Sequence, residues 1–152
     1  MTDIKKAFGT TTAMTITLTS LANGAGRQST EVDNTTNLYL DALVRIKANG
    51  SSASNTGNLE VYAIGNIGDD VRVDGAGATD ALLTVRNAKL IGVITMNGTT
   101  SVTGAMFSVA SAFNNTLPAK WSIAVYNNSG AALSATGGDF DVDYRGVYET
   151  NA

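Results

Sequence analysis

Three aspartates near the end of the chain, Asp139, Asp141 and Asp143, alternate with other residues in a pattern that can bind a cation. Carboxylate oxygens are ligands that Ca²⁺ prefers, but an EF-hand loop starting at Asp139 needs glycine and glutamate where Tyr144 and Thr150 stand. On a strand, alternate carboxylates line one face about 7 Å apart. A solvated outer face, whose charges discourage pairing with another strand, explains the pattern equally simply. We prefer this second interpretation and predict no metal ion and no cofactor.

A second acidic group lies beside a run of glycines. Asp69, Asp70 and Asp74 precede or adjoin the run Gly75-Ala76-Gly77-Ala78. Glycine-rich loops can bind phosphate, but the third glycine of the G-x-G-x-x-G motif is replaced by Asp80. No pattern of a strand followed by a helix flanks the run either. The stretch is therefore predicted to be a flexible loop.

Three residues between the first two predicted strands are candidates for contacts with a partner: Arg27, Gln28 and Asp33. A guanidinium among glycines can bind a partner's carboxylate through two hydrogen bonds. An ordinary solvated loop arginine is an equally good interpretation of Arg27. The sequence leaves these two alternatives open.

Trp121 is the only tryptophan of the chain. A tryptophan can stack on a sugar ring or anchor an interface. Ile123 and Val125 follow it at a spacing of two residues, as they would on the buried face of a strand. We therefore expect Trp121 to lie in the core or at its edge.

Composition narrows the functions that the chain can have. Its 152 residues include no cysteine and no histidine, so disulfides, thiolate nucleophiles and histidine-dependent triads are excluded. The ten lysines and arginines are scattered and the net charge is −3, which is atypical of proteins that follow a phosphate backbone. The sequence also has no apolar run long enough to span a membrane. We predict a protein that is not an enzyme and that binds neither nucleic acid nor membrane.

Alternation of apolar and polar residues predicts the elements that position these side chains. Two polar or glycine-rich stretches, residues 22–37 and 65–80, are predicted loops, with a short edge strand of residues 71–73 inside the second. Residues 81–87 are the one place where a helical turn is plausible. The predicted strands cover residues 14–19, 37–47, 59–64, 89–96, 102–112, 120–126, 131–135 and 140–148.

The strand predicted at residues 37–47 alternates most strictly. Leu38, Leu40, Ala42, Val44 and Ile46 fall on one face, and mostly polar residues fall on the other. One buried and one solvated face is typical of antiparallel sheets. About eight such strands predict an all-β fold, a jelly-roll β-sandwich first and an immunoglobulin-like sandwich second.

The chain is predicted to hold one domain, residues 13–152, after a flexible N-terminal arm, residues 1–12. The arm is polar, contains Lys5 and Lys6, and lacks the apolar segment of a secretory signal. The Asn-x-Ser/Thr sequences are then expected in a chain rich in asparagine and threonine, and they are not interpreted as glycosylation sites.

Several stretches resemble a family of small virion proteins of tailed bacteriophages, the capsid cement or decoration proteins. The resemblance spans most of the chain. It is carried by residues 15–22 (TITLTSLA), 26–30 (GRQST), 33–42 (DNTTNLYLDA), 107–113 (FSVASAF), 117–121 (LPAKW) and 144–148 (YRGVY).

This resemblance implies a jelly-roll protein that binds the outside of an icosahedral phage head and stabilises contacts between major capsid subunits. Its partners would be the major capsid protein and further copies of itself, as a dimer or trimer. It would be assembled in the host cytoplasm and located on the capsid exterior. The family supplies no catalytic residues.

Two other functions remain as alternatives. A tail or fibre module that binds host glycan would need an exposed aromatic platform, for which Trp121, Tyr39 and Tyr62 are candidates. A glycosidase would need two carboxylic acids about 5–9.5 Å apart across a cleft. Aspartate pairs on a strand reach that distance, but no pattern in the sequence indicates a cleft, so this alternative ranks last.

Overall fold

Two antiparallel β-sheets pack face to face in the computed structural model, which describes residues 3–151. Met1 and Thr2, in the predicted arm, and Ala152, in the predicted domain, lie outside the described residues. The strands are β1 (Ile4–Phe8), β2 (Thr12–Ala13), β3 (Gly26–Gln28), β4 (Val32–Asp33), β5 (Asp41–Ala48), β6 (Asn58–Asn66), β7 (Ala81–Leu83), β8 (Lys89–Thr95), β9 (Val102–Ser108), β10 (Lys120–Asn128) and β11 (Asp141–Asn151). Two short 3-10 helices are Ala110–Phe113 and Gly137–Asp139.

The order of the strands is that of a jelly roll. The first sheet runs β1-β11-β5-β9, and the second runs β7-β3-β10-β6-β8. If β2 and β4, which lie off these paths, and the edge strand β7 are set aside, the other eight strands, counted along the chain, lie in the orders 1-8-3-6 and 2-7-4-5. Successive strands of these eight cross between the sheets, except the fourth and fifth, β6 and β8, which are neighbours in the second sheet; this is the pattern of two Greek keys. The predicted jelly-roll β-sandwich is confirmed.

Side chains from the inner faces of both sheets form the core. Trp121 of β10 is 1% exposed, and its ring meets the ring of Tyr144 in β11 edge to face, with centroids 5.1 Å apart. This contact joins the two sheets, and edge-to-face aromatic pairs add stability beyond the area they bury. The prediction that Trp121 is a core residue is confirmed.

The strands predicted at residues 59–64 and 89–96 correspond to β6 and β8. Leu59, Val61 and Ala63 of β6 are all buried, and β6 lies centrally, between β10 and β8. The pairing of β6 with β8 shifts register opposite Gly92, where a Cβ atom would lie 2.3 Å from the Phe107 ring. Glycine inside the predicted strand therefore marks both a bulge and a close approach.

The prediction of a strand over residues 14–19 is wrong. Residues 14–19 follow β2 but make no ladder; the amide of Met14 donates to Val142 in the first sheet, while the carbonyl of Thr15 accepts from Thr30, next to the second. The segment crosses from one sheet to the other. The apolar and polar residues alternate because Met14 and Leu18 are buried at the edge of the core. A connection between two sheets can show this alternation just as a strand does.

The strictly alternating strand begins later than predicted. Ala42, Val44 and Ile46 of β5 are buried as expected, but Leu38 and Leu40 are exposed and precede the strand. Leu38 has a φ of 51°, so the backbone turns there and breaks the period of two.

The structure pairs most of the segment predicted to be a flexible arm. Ile4–Phe8 forms the edge strand β1, antiparallel to the end of β11. Since β5 pairs with β11 only as far as Val147, the pairs between residues 4–7 and 148–151 extend past the body of the first sheet. We call these residues the terminal ribbon.

Other local predictions are corrected where tertiary contacts decide. Residues 81–87 hold strand β7 instead of a helical turn, because Ala81–Leu83 pairs with β3. The predicted loop of residues 22–37 contains β3 and β4, both paired with β10. Residues 71–73 and 131–135 contribute one isolated bridge each, and the strand predicted to reach residue 112 ends at Ser108.

Candidate interaction surface

Three connections emerge at the same end of the sandwich, which we call the loop end. They are residues 34–40 before β5, residues 67–80 after β6 and residues 109–119 between β9 and β10. Asp33 and Asn66 both lie opposite Lys120, which fixes the ends of β4 and β6 beside the start of β10. The terminal ribbon projects at this end as well, because β11 finishes there.

Exposed apolar side chains concentrate at the loop end. Of the twelve exposed large hydrophobic residues among residues 3–151, seven belong to it: Ile4, Leu38, Leu40, Ile67, Val71, Val73 and Tyr148. Single exposed apolar residues are common on soluble proteins, but a concentration of them marks an interaction surface. The surface has two parts, one at each sheet.

The first part is a turn that presents Leu38. The side chain of Asn34 is buried and closes the turn, since its Oδ1 accepts from the Tyr39 amide at 2.9 Å and its Nδ2 donates to the Tyr39 carbonyl at 3.0 Å. The Leu38 amide donates to the carbonyl of Asn34 at 2.9 Å. These bonds hold Leu38 in the left-handed region, where the residue is 70% exposed.

Beside this turn the backbone makes room for an aromatic ring. A Cβ atom at Gly146 would lie 2.2 Å from the ring of Tyr39, which therefore packs directly on β11. The Tyr39 and Tyr148 rings are 6.1 Å apart, and Leu38 and Leu40 line the same depression. We call Leu38, Leu40 and Tyr148 the leucine turn surface.

The second part is built on residues 67–80, which fold over the outer face of the second sheet; we call them the flap. Gln28, on that outer face, is 0% exposed. Its amide nitrogen donates to the carbonyls of Gly77 and Thr79 at 2.8 and 2.7 Å, and its amide oxygen accepts from the amide of Ala76 at 2.7 Å. A buried amide that satisfies three backbone groups ties the flap to the sheet.

Ion pairs hold the flap at two further points. Arg72 donates to both carboxylate oxygens of Glu31, at 2.8 and 3.2 Å, and both side chains are largely buried. Arg27 donates to Asp80 at 2.6 Å, and the Thr17 hydroxyl donates to the other oxygen at 2.5 Å. Burial works to raise the pKa of Asp80, but the hydrogen bonds from Arg27 and Thr17 outweigh it and hold the pKa below its ordinary value.

Asp74 connects the flap to the segment that follows β7. One of its oxygens accepts from the amides of Arg86, Asn87 and Ala88, at 2.6 to 3.0 Å, and the other accepts from Gly75 at 2.9 Å. Burial tends to raise the pKa of Asp74, and these four amides more than offset it, so the pKa is lowered. The Asp74 carboxylate thus fixes the flap to the segment that follows β7.

Where the flap leaves β6, it borders a mostly apolar depression, the flap hollow. Its lining residues include Ile67, Val71, Val73, Phe113 and Pro118. Gly65 lets Pro118 pack directly on the backbone of β6, because a Cβ atom at Gly65 would lie 2.7 Å from the Pro118 ring. Asp69 lies at its border, and Asp70, the next residue, is among the exposed side chains.

The three predicted contact residues have different environments. Arg27 does bind a carboxylate, but that carboxylate is Asp80 of the same chain. Gln28 is wholly buried under the flap and offers no surface to a partner, which corrects that prediction. Asp33 is exposed at the loop end, where hydrogen bonds from the Thr35 hydroxyl and amide hold its pKa below the ordinary value.

The three alternating aspartates do not share one strand face. Asp139 belongs to a 3-10 helix and accepts a 2.5 Å hydrogen bond from Ser134. Asp141 and Asp143 both bind Arg45 across the β5–β11 pairing, and Asp143 is buried. Among residues 3–151, no group of three or more acidic side chains is arranged to hold a metal ion.

Sequence reasoning missed the leucine turn surface because it assigned Leu38 and Leu40 to a buried strand face. A signal was present in Asp33-Asn34-Thr35-Thr36-Asn37, since asparagine and aspartate side chains close turns by bonding the backbone ahead of them. The flap hollow had no comparable signal, because its residues come from two stretches, 65–73 and 113–118, that lie far apart in the sequence.

No family model matches the chain, and no curated protein or solved structure is significantly similar to it.

Within the described residues, no helix has the length and apolar character required to cross a membrane.

Proposed function

We propose that the protein is a capsid decoration protein of a tailed bacteriophage, which binds the outside of the head and stabilises contacts between major capsid subunits. The sequence resemblance suggests this function, and the jelly-roll order of the strands is compatible with it. It is a structural role that needs no catalytic residue. We assign the contact with the shell to the leucine turn surface.

Leu38 carries this assignment. A left-handed backbone costs a non-glycine residue about 1–3 kcal/mol and persists only where surrounding structure imposes it. Here the imposing residue is the buried Asn34, and the side chain that is presented is an exposed leucine. The free-energy cost of the left-handed backbone therefore leaves an apolar side chain exposed to water. This is expected of a residue that becomes buried when the protein binds its partner.

The contact on each subunit need not be tight. A stable protein interface buries about 1,200–2,000 Å² in total, and the leucine turn surface supplies an apolar centre for such a contact. A shell presents many equivalent sites, so linked copies gain avidity without any new contact. Apolar burial at Leu38 and polar contacts around Asp33 suit this kind of binding.

The test measures binding to undecorated, expanded heads of the phage that encodes the protein, by co-sedimentation. Leu38→Asp places a charge at the centre of the interface, and we expect it to abolish binding while the circular dichroism spectrum is unchanged. Leu38→Gly removes the side chain but suits the positive φ. It should bind at least about tenfold more weakly, although its free energy of unfolding equals or exceeds that of the wild type.

Leu82→Asp is the matched control, because Leu82 is also exposed but lies in β7, at the edge of the second sheet. It should bind heads as the wild type does. Wild-type affinity in both Leu38 variants, or failure of the unmodified protein to bind heads, would refute the proposal.

A further inference from the structure

We infer that the protein associates with itself by inserting the terminal ribbon of one copy into the flap hollow of the next. The occupant of the hollow is the tip of β1, with Ile4 as the apolar side chain and Lys5 and Lys6 as the charged ones. This inference concerns contacts between copies and holds whether or not the partner of the leucine turn surface is a phage head.

The terminal ribbon is expected to be only marginally stable when it is exposed to water on all sides. Beyond Val147 it consists of two strands only, and a lone two-stranded ribbon is marginally stable. Residues 148–151 and all of Ile4–Lys6 are exposed, with Ile4 at 67%. Docking against another surface would cover the ribbon and stabilise it.

Two lysines disfavour edge-to-edge pairing of the terminal ribbons of two copies. Lys5 and Lys6 are exposed neighbours at the middle of the free edge of β1. Antiparallel pairing of two β1 edges centred on these residues would set lysine against lysine, which is destabilising. An acidic surface is the favoured partner instead.

The flap hollow has the complementary character. Its lining is mostly apolar but includes Asp69, which the exposed Asp70 follows in the flap. Asp70 is well exposed, and its carboxylate lies 3.6 Å from Arg72 and 3.9 Å from Lys120. Arg72 is also paired with Glu31, so three carboxylates, Asp69, Asp70 and Glu31, stand against two basic groups beside the hollow. Ile4 and Lys6 share one face of β1 and Lys5 lies on the other, so an isoleucine and a lysine can together face the apolar depression and its Asp69.

The hollow is free to receive a second copy. The ribbon belongs to the first sheet and the hollow to the second, and no residue of β1 lines the hollow. Each copy therefore offers one ribbon and one hollow at the same end. Two different patches that complement each other make either a reciprocal dimer or a head-to-tail ring.

Charge reversal tests the inference by sedimentation equilibrium of the purified chain, without heads. We expect the wild type to be a dimer or trimer at micromolar concentrations. The double variants K5E/K6E and D69K/D70K should each raise the dissociation constant by about tenfold or more, since like charges then face each other. The fourfold variant that combines both reversals should restore association.

A matched control reverses two exposed basic residues that neither line the hollow nor belong to the ribbon, as R86E/K89E, and makes the same change in net charge as K5E/K6E. It should associate as the wild type does. A monomeric wild type, or double variants that associate normally, would overturn the inference. So would D69K/D70K that loses head binding but keeps its oligomeric state, because the hollow would then bind the shell. Self-association is measured without heads, so its failure is distinguishable from failure of the proposed function.

Discussion

Two glycines of the first and second sheets leave space that aromatic rings fill. A Cβ atom would lie 2.2 Å from the Tyr39 ring at Gly146 and 2.3 Å from the Phe107 ring at Gly92. Real side chains essentially never approach so closely, so the ring or the strand would have to move. At Gly146 the ring that would move also supports the leucine turn surface.

Gly146→Ala is therefore expected to destabilise the protein by about 2 kcal/mol, the usual cost of overpacking a well-packed site. The control is Gly137→Ala, because a Cβ atom at Gly137 meets no atom within 4 Å and its effect should stay within about 0.5 kcal/mol. Urea denaturation gives both free energies of unfolding. Equal stabilities of the two variants would contradict the packing described for Tyr39.

At the residue scale, the sequence predicted the burial of side chains that follow the alternation of a strand. It missed the exposure of side chains whose position depends on the backbone conformation. Trp121 was assigned to the core because Ile123 and Val125 share its face. Leu38 was assigned to the same kind of face, yet its positive φ turns it outward. Nor could the sequence place Gln28, because its burial depends on a flap that begins almost forty residues later.

At the scale of elements, the flap depends on carboxylates that must be charged. The pKa values of Asp74 and Asp80 are both below the ordinary 3.8, so the unfolded chain binds more protons than the folded one in acid. Stability from these groups is present above pH 3.8 and is lost as the pH falls through their lower folded pKa values.

Asp74→Asn and Asp80→Asn should each lower the free energy of unfolding at pH 7 by about 1–3 kcal/mol, because charge-assisted hydrogen bonds are lost. Each should also flatten the decline of stability below pH 3.8, since one group with a lowered pKa is removed. Denaturation at a series of pH values measures both effects. A wild-type slope in both variants would show that these carboxylates do not stabilise the flap.

Long strands with one buried face were predictable from the sequence. Short strands, which form only because a distant strand pairs with them, were not. Leu59 to Ile64 alternates and lies in β6, as predicted. Residues 14–19 alternate as well but join two sheets, so the same pattern arose without a ladder. Strands β3, β4 and β7 have two or three residues each, too few for any period to register.

At the scale of the whole molecule, the first and last strands of the described residues lie together. Strand β1 pairs with β11, across nearly the full length of the sequence. Local patterns carry no information on such a contact, which explains why the first twelve residues were predicted to be a flexible arm. The fold class was predictable because many short alternating strands leave few architectures. About eight strands and two long loops favoured the jelly roll among them, and the family resemblance implies the same fold.

The loop end gathers the features from which function is proposed: the leucine turn surface, the flap hollow and the terminal ribbon. The opposite end is closed by buried polar side chains, among them Asn55, Asn127 and Ser129, which bond to one another and to loop backbone. A molecule with one end sealed by polar contacts and the other rich in exposed apolar groups should bind its partner in one orientation.

Cryo-electron microscopy of undecorated, expanded heads incubated with the purified protein tests this orientation most directly. We predict added density on the outer surface of the head that fits the jelly roll with its loop end toward the shell and Leu38 at the contact. Heads that gain no density, or density that places the Asn127 end against the shell, would contradict the account.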